Sequence, residues 1–151
     1  MRSIYKIVVC SLLTLSITSC EKDLLEKEQY QKEIYLIGAY NRVWTTEVSY
    51  SNEEVKTYFT VSSSGTLALD RDVNVKMKIN EELVDIYNKK YWTVLNEDKY
   101  YKSLDTDLYS IPSLENTVIK HAEGISAEVP VLIKTASLKI DQSYVIPVEI
   151  E

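Results

Sequence analysis

Residues 55–61, Val-Lys-Thr-Tyr-Phe-Thr-Val, decide the fold class because two kinds of side chain alternate along them. The apolar residues Val55, Phe59 and Val61 are separated by even numbers of positions, whereas the charged Lys56 directly follows Val55. Successive side chains of a β-strand point to opposite faces, so this spacing predicts a strand with one buried face. The same alternation recurs in three other places, at Val73–Ile79, Val129–Ile133 and Tyr144–Ile150.

Shorter apolar runs predict three further strands, at Ile34–Ile37, Val43–Tyr50 and Val118-Ile119. Clusters of Ser, Gly and Asp separate the runs, as in Ser62–Gly65 and Glu123–Ser126, and such clusters are typical of turns. Six to eight short strands in roughly 120 residues favour two antiparallel sheets packed face to face. Pro130 and Pro147 fall inside predicted strands and are therefore expected at an edge or a bulge, because proline cannot donate to a ladder.

One segment has the pattern of a short helix. Asn80 is a favourable cap, acidic residues follow it, and Lys89 and Lys90 close the segment 81–90, as the helix dipole prefers. Leu83, Ile86 and Tyr87 are predicted to share its buried face. The sequence therefore predicts an all-β sandwich with one short helix.

The N-terminus has the pattern of an export signal. Arg2 and Lys6 precede an apolar run from Ile7 to Ile17, which is too short for a transmembrane helix of about 20 residues. The run ends in Ile17-Thr18-Ser19-Cys20, which resembles a bacterial lipobox. That resemblance implies cleavage before Cys20 and lipidation of its sulfur. The expected organisation is a signal peptide at 1–19, a lipidated Cys and acidic tether at 20–32, and a sandwich domain at 33–151.

The net charge of the mature chain agrees with a lipid anchor. The mature chain would keep 15 of the 17 basic residues and all 23 acidic ones, for a net charge of −8. Anionic surfaces repel such a body, so attachment to the membrane is expected to come from the lipid. The acidic stretch Glu21–Glu28 resembles the surface-export signal of Bacteroidetes lipoproteins. We expect an outer-membrane lipoprotein that faces the cell surface, with the periplasmic face as the alternative.

Composition argues against several functions. An acidic chain of 151 residues lacks the positive face that nucleic acid requires. His121 is the single histidine, so no histidine pair can bind zinc, and no metal or cofactor site is predicted. Asp70–Asp72 and Asp105–Asp107 offer carboxylates without the signature of a calcium loop or a glycosidase pair. We therefore expect a non-enzymatic protein.

The aromatic residues are the functional signal. The sequence holds 12 Tyr and 2 Trp against one Phe, and sugar rings pack their CH faces on flat aromatic rings. Trp92, Tyr100, Trp44 and Tyr91 are candidates for a glycan platform, with Tyr101 and polar neighbours such as Asn41 and Asn96 beside them. Packing inside the sandwich, with hydroxyls reaching solvent or main chain, explains the same residues as well.

The order of elements resembles a known family. The resemblance is carried by residues along the whole mature body: Val73–Ile79, Leu83, Tyr87-Asn88, Tyr101, Leu104, Tyr109, Val118-Ile119, Gly124, Val129–Ile133, Tyr144 and Pro147. Through these residues the chain resembles an N-terminal domain of unknown function in Bacteroidetes surface lipoproteins. That domain precedes, among others, family-18 endo-β-N-acetylglucosaminidase catalytic domains and lectin-like domains. The family often has Leu-Pro where this chain has Leu104-Asp105.

The resemblance implies an immunoglobulin-like sandwich that helps to capture or present glycans, with no catalytic residue of its own. The expected partners are the membrane, through the lipid on Cys20, and a glycan or another surface protein. Two alternatives stay open. The chain is a structural spacer or docking module of a surface complex, or it is the remnant of a larger glycoside hydrolase lipoprotein.

Overall fold

The computed structural model describes residues 27–38, 43–140 and 142–151. The signal peptide, Cys20, the first half of the tether and Asn41 lie outside these residues. The elements, in chain order, are β1 (Ile34–Leu36), β2 (Glu54–Ser63), β3 (Val73–Val75), β4 (Met77–Ile79), α1 (Glu82–Tyr91), β5 (Lys102–Ser103), β6 (Tyr109–Ser110), β7 (Thr117–Ile119), β8 (Ser126–Lys134), β9 (Tyr144–Val145) and β10 (Val148–Ile150). Short 3₁₀ helices occupy Val94–Lys99 and Thr135–Ser137.

The fold is an all-β sandwich with one short helix, as the alternation predicts. One layer is a four-stranded antiparallel sheet in the order β1-β2-β8-β6. Its centre is the long pairing of β2 with β8, in which Glu54 lies opposite Lys134 and Ser62 opposite Ser126. Three two-stranded pairs complete the fold: β3 with β7, β4 with β10, and β5 with β9, the last of which is parallel.

The core lies against the inner face of β2 and β8. Val61, Ile119 and Val129 have no solvent-exposed surface, and Met77 is 1% exposed. They form one apolar cluster with Leu69 and Val75, and a second cluster joins Leu104, Val131 and Ile133. The alternate residues of β2, such as Lys56 and Tyr58, are exposed.

Two predicted strands are each broken in two. The segment Val73–Ile79 changes partner at Lys76, so that Val75 pairs with Thr117 whereas Met77 pairs with Ile150. The C-terminal run is interrupted between Val145 and Val148, where Pro147 is buried and its carbonyl accepts the N–H of Asn80 (2.9 Å). Period-two alternation continues across both breaks, so it could not reveal them.

The prediction of a strand at Val43–Tyr50 was wrong. No backbone hydrogen bond joins residues 43–48 to β2 within the described ranges, so this segment has no ladder. The helix was predicted correctly, and Asn80 Oδ1 accepts the N–H of Glu82 (3.1 Å). Its buried face differs, however, because Val84 and Asn88 are buried whereas Ile86 is 53% exposed.

Pro130 lies within β8 opposite Tyr58 of β2. On its other side, β6 pairs only with Leu132 and Ile133. Within the part of the chain that the structure describes, Pro130 therefore has a paired neighbour strand on one side alone, and a residue without an N–H is tolerated at such a position.

Candidate functional site

A cleft with a volume of about 910 Å³ opens beside β2. Thr57 and Phe59 of β2 and Val131 and Ile133 of β8 line its floor. One wall is the segment 43–50, which we call the strap. Residues of α1 and of the chain around β9 also line it: Leu83, Val84, Tyr87, Leu138–Ile140, Gln142, Ser143 and Tyr144–Val148. The other lining residues are Leu36, Ile37, Tyr58, Tyr101, Leu104, Ile111 and Thr135.

Thr135 holds the end of the strap. Its Oγ1 accepts the N–H of Ser51 (2.9 Å) and lies 3.2 Å from the carbonyl oxygen of Ser51. Thr135 is 2% exposed, so these hydrogen bonds are shielded from water. The Tyr50 hydroxyl donates to the carbonyl of Ala136 at 3.5 Å, which adds a second contact between the same two segments.

Trp44 near the beginning of the strap packs against Gly38. Gly38 has a φ of 85°, and a Cβ built on it would lie 2.9 Å from Cδ1 of Trp44. The absence of a side chain at position 38 therefore leaves room for the indole and permits the left-handed backbone. Trp44 lines the cleft and remains 51% exposed, so a face of its ring is available to solvent.

A row of tyrosine rings leads from the surface of α1 into the cleft. The ring centroids of Tyr91 and Tyr87 are 4.5 Å apart, and those of Tyr87 and Tyr101 are 5.5 Å apart with an edge-to-face arrangement. Tyr87 and Tyr101 line the cleft, whereas Tyr91 is 49% exposed outside it. Burial raises the pKa of the Tyr87 hydroxyl above its ordinary value, so this hydroxyl stays protonated and can donate.

The rim of the cleft is polar. Thr45, Thr46 and Glu47 of the strap and Lys139, Gln142 and Ser143 of the chain before β9 are polar lining residues. These groups supply both hydrogen-bond donors and acceptors. Glu47 is the single carboxylate among the described lining residues, whereas hydrolysis of a glycosidic bond ordinarily uses two. The arrangement is suited to hold a ligand that has flat apolar faces and many hydroxyls.

The structure separates the four residues predicted from sequence. Trp44 lines the cleft, and Tyr91 contacts it through Tyr87. Trp92 and Tyr100 are half-buried and are not part of the lining. The ammonium of Lys99 lies 5.7 Å from the centroid of the Trp92 ring, and Nε1 of Trp92 is buried without a hydrogen-bond partner among the described residues.

The sequence patterns did not indicate that Tyr50, Tyr87 and Tyr144 line the cleft, because a predicted strand or the predicted helix face accounts for each of them. One signal for them was present in the composition. A core residue that needs only bulk can be Phe, and this chain uses Tyr twelve times and Phe once. The preference for hydroxyl-bearing rings at inward positions indicates a lining that meets water or ligand.

The remaining candidates do not form a second site. Asp72 of the Asp70–Asp72 cluster binds the side chain of His121 (Nδ1–Oδ1 2.7 Å) on the surface. In residues 27–38, 43–140 and 142–151, no group of three or more His, Cys, Asp or Glu could hold a metal ion. Within the same residues, no helix has the length and apolar character needed to cross a membrane.

The fold is shared with solved structures from Bacteroides ovatus. A multidomain protein that includes the domain of unknown function DUF1735 matches at 16% identity and a TM-score of 0.58, over 66% of this chain and 33% of that one. A structural-genomics protein of unknown function matches at 12% identity and a TM-score of 0.60, over 80% and 40%. None of the curated proteins matches.

A third structure from the same organism is a presumed carbohydrate-binding protein. It is 23% identical, with a TM-score of 0.53, over 69% of this chain and 28% of that one. The chain thus spans well under half of the length of each of these structures. A family model of an N-terminal domain matches residues 30–151, which is most of the sequence. The chain therefore belongs to a family of N-terminal domains of unknown function in Bacteroidetes proteins.

Proposed function

We propose that this chain is a non-catalytic carbohydrate-binding domain, anchored to the outer membrane by the lipid on Cys20 and facing the cell surface. The observation that carries the proposal is the cleft of about 910 Å³ in which Trp44, Tyr87 and Tyr101 lie among polar groups of the rim. Aromatic rings offer contact area to the CH faces of a sugar, and the rim offers partners to its hydroxyls.

The presumed carbohydrate-binding relative supports this function. The described lining of the cleft has one carboxylate, whereas glycoside hydrolysis ordinarily uses two. The groups in the cleft therefore favour glycan binding over hydrolysis. In this role the domain helps a polysaccharide-acquisition system to capture glycan at the surface. Enzymatic steps are then the work of other domains or proteins.

A glycan array and calorimetry on residues 21–151 test the proposal. We expect binding to at least one class of glycan, and Trp44→Ala or Tyr87→Ala should weaken it by about tenfold or more. Trp92→Ala should leave it unchanged, because that ring lies outside the cleft. Tyr30→Ala is a matched control, since Tyr30 is a tyrosine that is 70% exposed and is not among the lining residues of the cleft.

One observation favours a docking module as the second candidate. Among the described residues, β1 pairs with β2 only at Val61–Ser63, and β8 is the single neighbour strand of β2 from Glu54 to Phe59. An edge of this kind can accept a strand from another protein. If residues 21–151 bind no glycan on the array or in calorimetry, the docking module replaces the carbohydrate-binding domain as the proposed function.

A further inference from the structure

Three segments meet at one end of the sandwich, which we call the loop end: residues 28–33, 64–72 and 120–126. The N–H of Ser64 donates to the carbonyl of Glu33 (2.8 Å), and the N–H of Ser63 donates to the carbonyl of Ile125 (2.8 Å). Asp72 accepts the N–H of His121 (3.0 Å). Contacts between all three segments therefore make the loop end a single surface.

Glu28 and Lys32 fasten the N-terminal segment to this surface. The carboxylate of Glu28 accepts the N–H groups of Thr66 and Leu67. The ammonium of Lys32 donates to the carbonyls of Leu67 (3.0 Å) and Ala68 (2.6 Å). The predicted tether of residues 20–32 is thus bound to the body over its last part, and the chain reaches the body at the loop end.

The length of chain before Glu28 limits how far the loop end can lie from the anchor. Glu28 lies eight positions after Cys20. An extended chain spans at most about 3.5 Å per residue, so the two Cα atoms are at most about 28 Å apart. A sulfur that carries acyl chains lies at the bilayer surface, so Glu28 at the loop end stays within about 28 Å of that surface.

The loop end also carries exposed apolar side chains. Tyr30 is 70% exposed, Ile125 is 47% exposed and Leu67 is 37% exposed, one from each of the three segments.

We infer that the loop end is a membrane-contact surface, on which Tyr30, Leu67 and Ile125 insert into the interfacial region of the bilayer. The inference rests on the lipidated Cys20 of the proposed function. Tyrosine is well suited to this region because its ring is apolar and its hydroxyl is polar. The contact orients the body, since the anchor by itself fixes only a distance.

This orientation places the cleft away from the membrane. β2 has Ser63 at the loop end and Glu54 at the other, ten residues that span roughly 30 Å. On the main sheet the lining of the cleft runs from Leu36, which lies opposite Val61, to Thr135, which follows the partner of Glu54. A glycan that reaches the cell from outside would meet the cleft before it met lipid.

Site-specific quenching in proteoliposomes tests the orientation. The full-length chain is expressed so that it is processed in the host, and single thiols are introduced as Leu67→Cys, Ile125→Cys or Ile140→Cys. Cys10 and Cys20 are the only native cysteines, and processing removes the first and acylates the second. Each thiol carries a bimane fluorophore, and the vesicles of phosphatidylethanolamine and phosphatidylglycerol contain a lipid with a nitroxide headgroup.

We expect quenching at positions 67 and 125 to exceed that at position 140 several-fold. Ile140 is a matched control, because it is an exposed isoleucine (86%) that follows the far end of β8. Equal quenching at the three positions, with acylation of Cys20 verified by mass spectrometry, would overturn the contact surface and leave the anchor intact. An unacylated Cys20 would overturn both.

A second variant separates apolar contact from the effect of the short tether. With the fluorophore at Tyr30→Cys, the double substitution Leu67→Glu with Ile125→Glu should reduce quenching several-fold while acylation is unchanged. If quenching stays the same, the tether alone holds the loop end near the bilayer, and the inserted surface is wrong.

Discussion

The side chain of Asn88 and the main chain of Tyr101 are joined by two hydrogen bonds, each 2.9 Å long. Nδ2 of Asn88 donates to the Tyr101 carbonyl, and the Tyr101 N–H donates to Oδ1 of Asn88. Asn88 is 4% exposed and lies one residue beyond Tyr87 on α1. The pair fixes the helix to the segment that carries Tyr101, and so it sets the edge-to-face contact of the two rings in the cleft.

Replacement of Asn88 should damage both the fold and the cleft. Asn88→Ala leaves a buried N–H and a buried C=O of Tyr101 without partners, each at a cost of about 1–3 kcal/mol. We expect the free energy of unfolding to fall by roughly 2–4 kcal/mol in urea denaturation. Asn74→Ala is the control, because Asn74 is exposed on β3 and should change stability by less than about 0.5 kcal/mol. Similar losses for both variants would contradict the role assigned to the pair.

Asn88 also marks the limit of what sequence patterns could predict. Alternation identified β2 and β8 because these two strands pair with each other from Glu54 to Ser62, and each buries one face. The cap at Asn80 was predictable, since it depends on neighbouring residues alone. The bond from Asn88 to a main chain thirteen residues away follows from tertiary packing, and no local pattern encodes it.

The chemistry of the cleft was predictable from the sequence, but the residues that line it were not. Tyrosine-rich composition and Trp44 pointed to an aromatic site. The strap, however, has the alternation of a strand and fails to pair, because whether a segment joins a ladder depends on its neighbours in space. Trp92 and Tyr100 flank a polar loop in sequence, but the fold turns Trp92 Nε1 inward and brings Lys99 over the ring.

Gly38→Ala should reduce glycan affinity by displacing Trp44. A methyl group at position 38 would lie 2.9 Å from the indole, closer than real side chains approach, so the ring must move. Gly124→Ala is a matched control, because Gly124 also has a positive φ (126°) and a Cβ there meets nothing within 4 Å. Both variants should lose about 1 kcal/mol or more of stability from backbone strain. Calorimetric titration should show weaker binding for Gly38→Ala alone, and equal affinities would refute the account of Trp44.

Neighbouring positions of β7 should differ sharply in their effect on stability. Ile119 has no exposed surface, whereas Val118 points outward and is 37% exposed. Ile119→Ala removes buried methyl groups and leaves a cavity, so we expect a loss of about 3–4 kcal/mol. Val118→Ala should cost less than about 1 kcal/mol. Thermal and urea unfolding of the two variants measure the difference, and comparable losses would mean that the core does not lie between β7 and the main sheet.

Acid should remove the contribution of the pair formed by Asp72 and His121. The hydrogen bond from the His121 side chain lowers the pKa of the Asp72 carboxyl below its ordinary value. A lowered folded-state pKa stabilises the fold above the unfolded value of about 4, and this contribution disappears as the pH falls through the folded value. Asp72→Asn should therefore lower Tm by no more than a few degrees at neutral pH and have no effect in acid. Asp70→Asn serves as the control, and a difference that persists in acid would exclude this origin.

The contacts of Glu28 should control the mobility of the segment that links the body to Cys20. The N–H of Thr66 makes the main contribution to a lowered pKa of the Glu28 carboxyl, so the charged form is bound. Glu28→Ala frees the N–H groups of Thr66 and Leu67, and their hydrogen exchange should become several-fold faster while exchange in β2 and β8 is unchanged. Trypsin should also cleave faster after Lys32, which loses its ion pair with Glu28 (3.6 Å). Glu33→Ala is a close control, because Glu33 contacts Ser64 through its main chain. If both variants exchange and cleave at the rate of the unmodified chain, the loop end does not hold the N-terminal segment in solution.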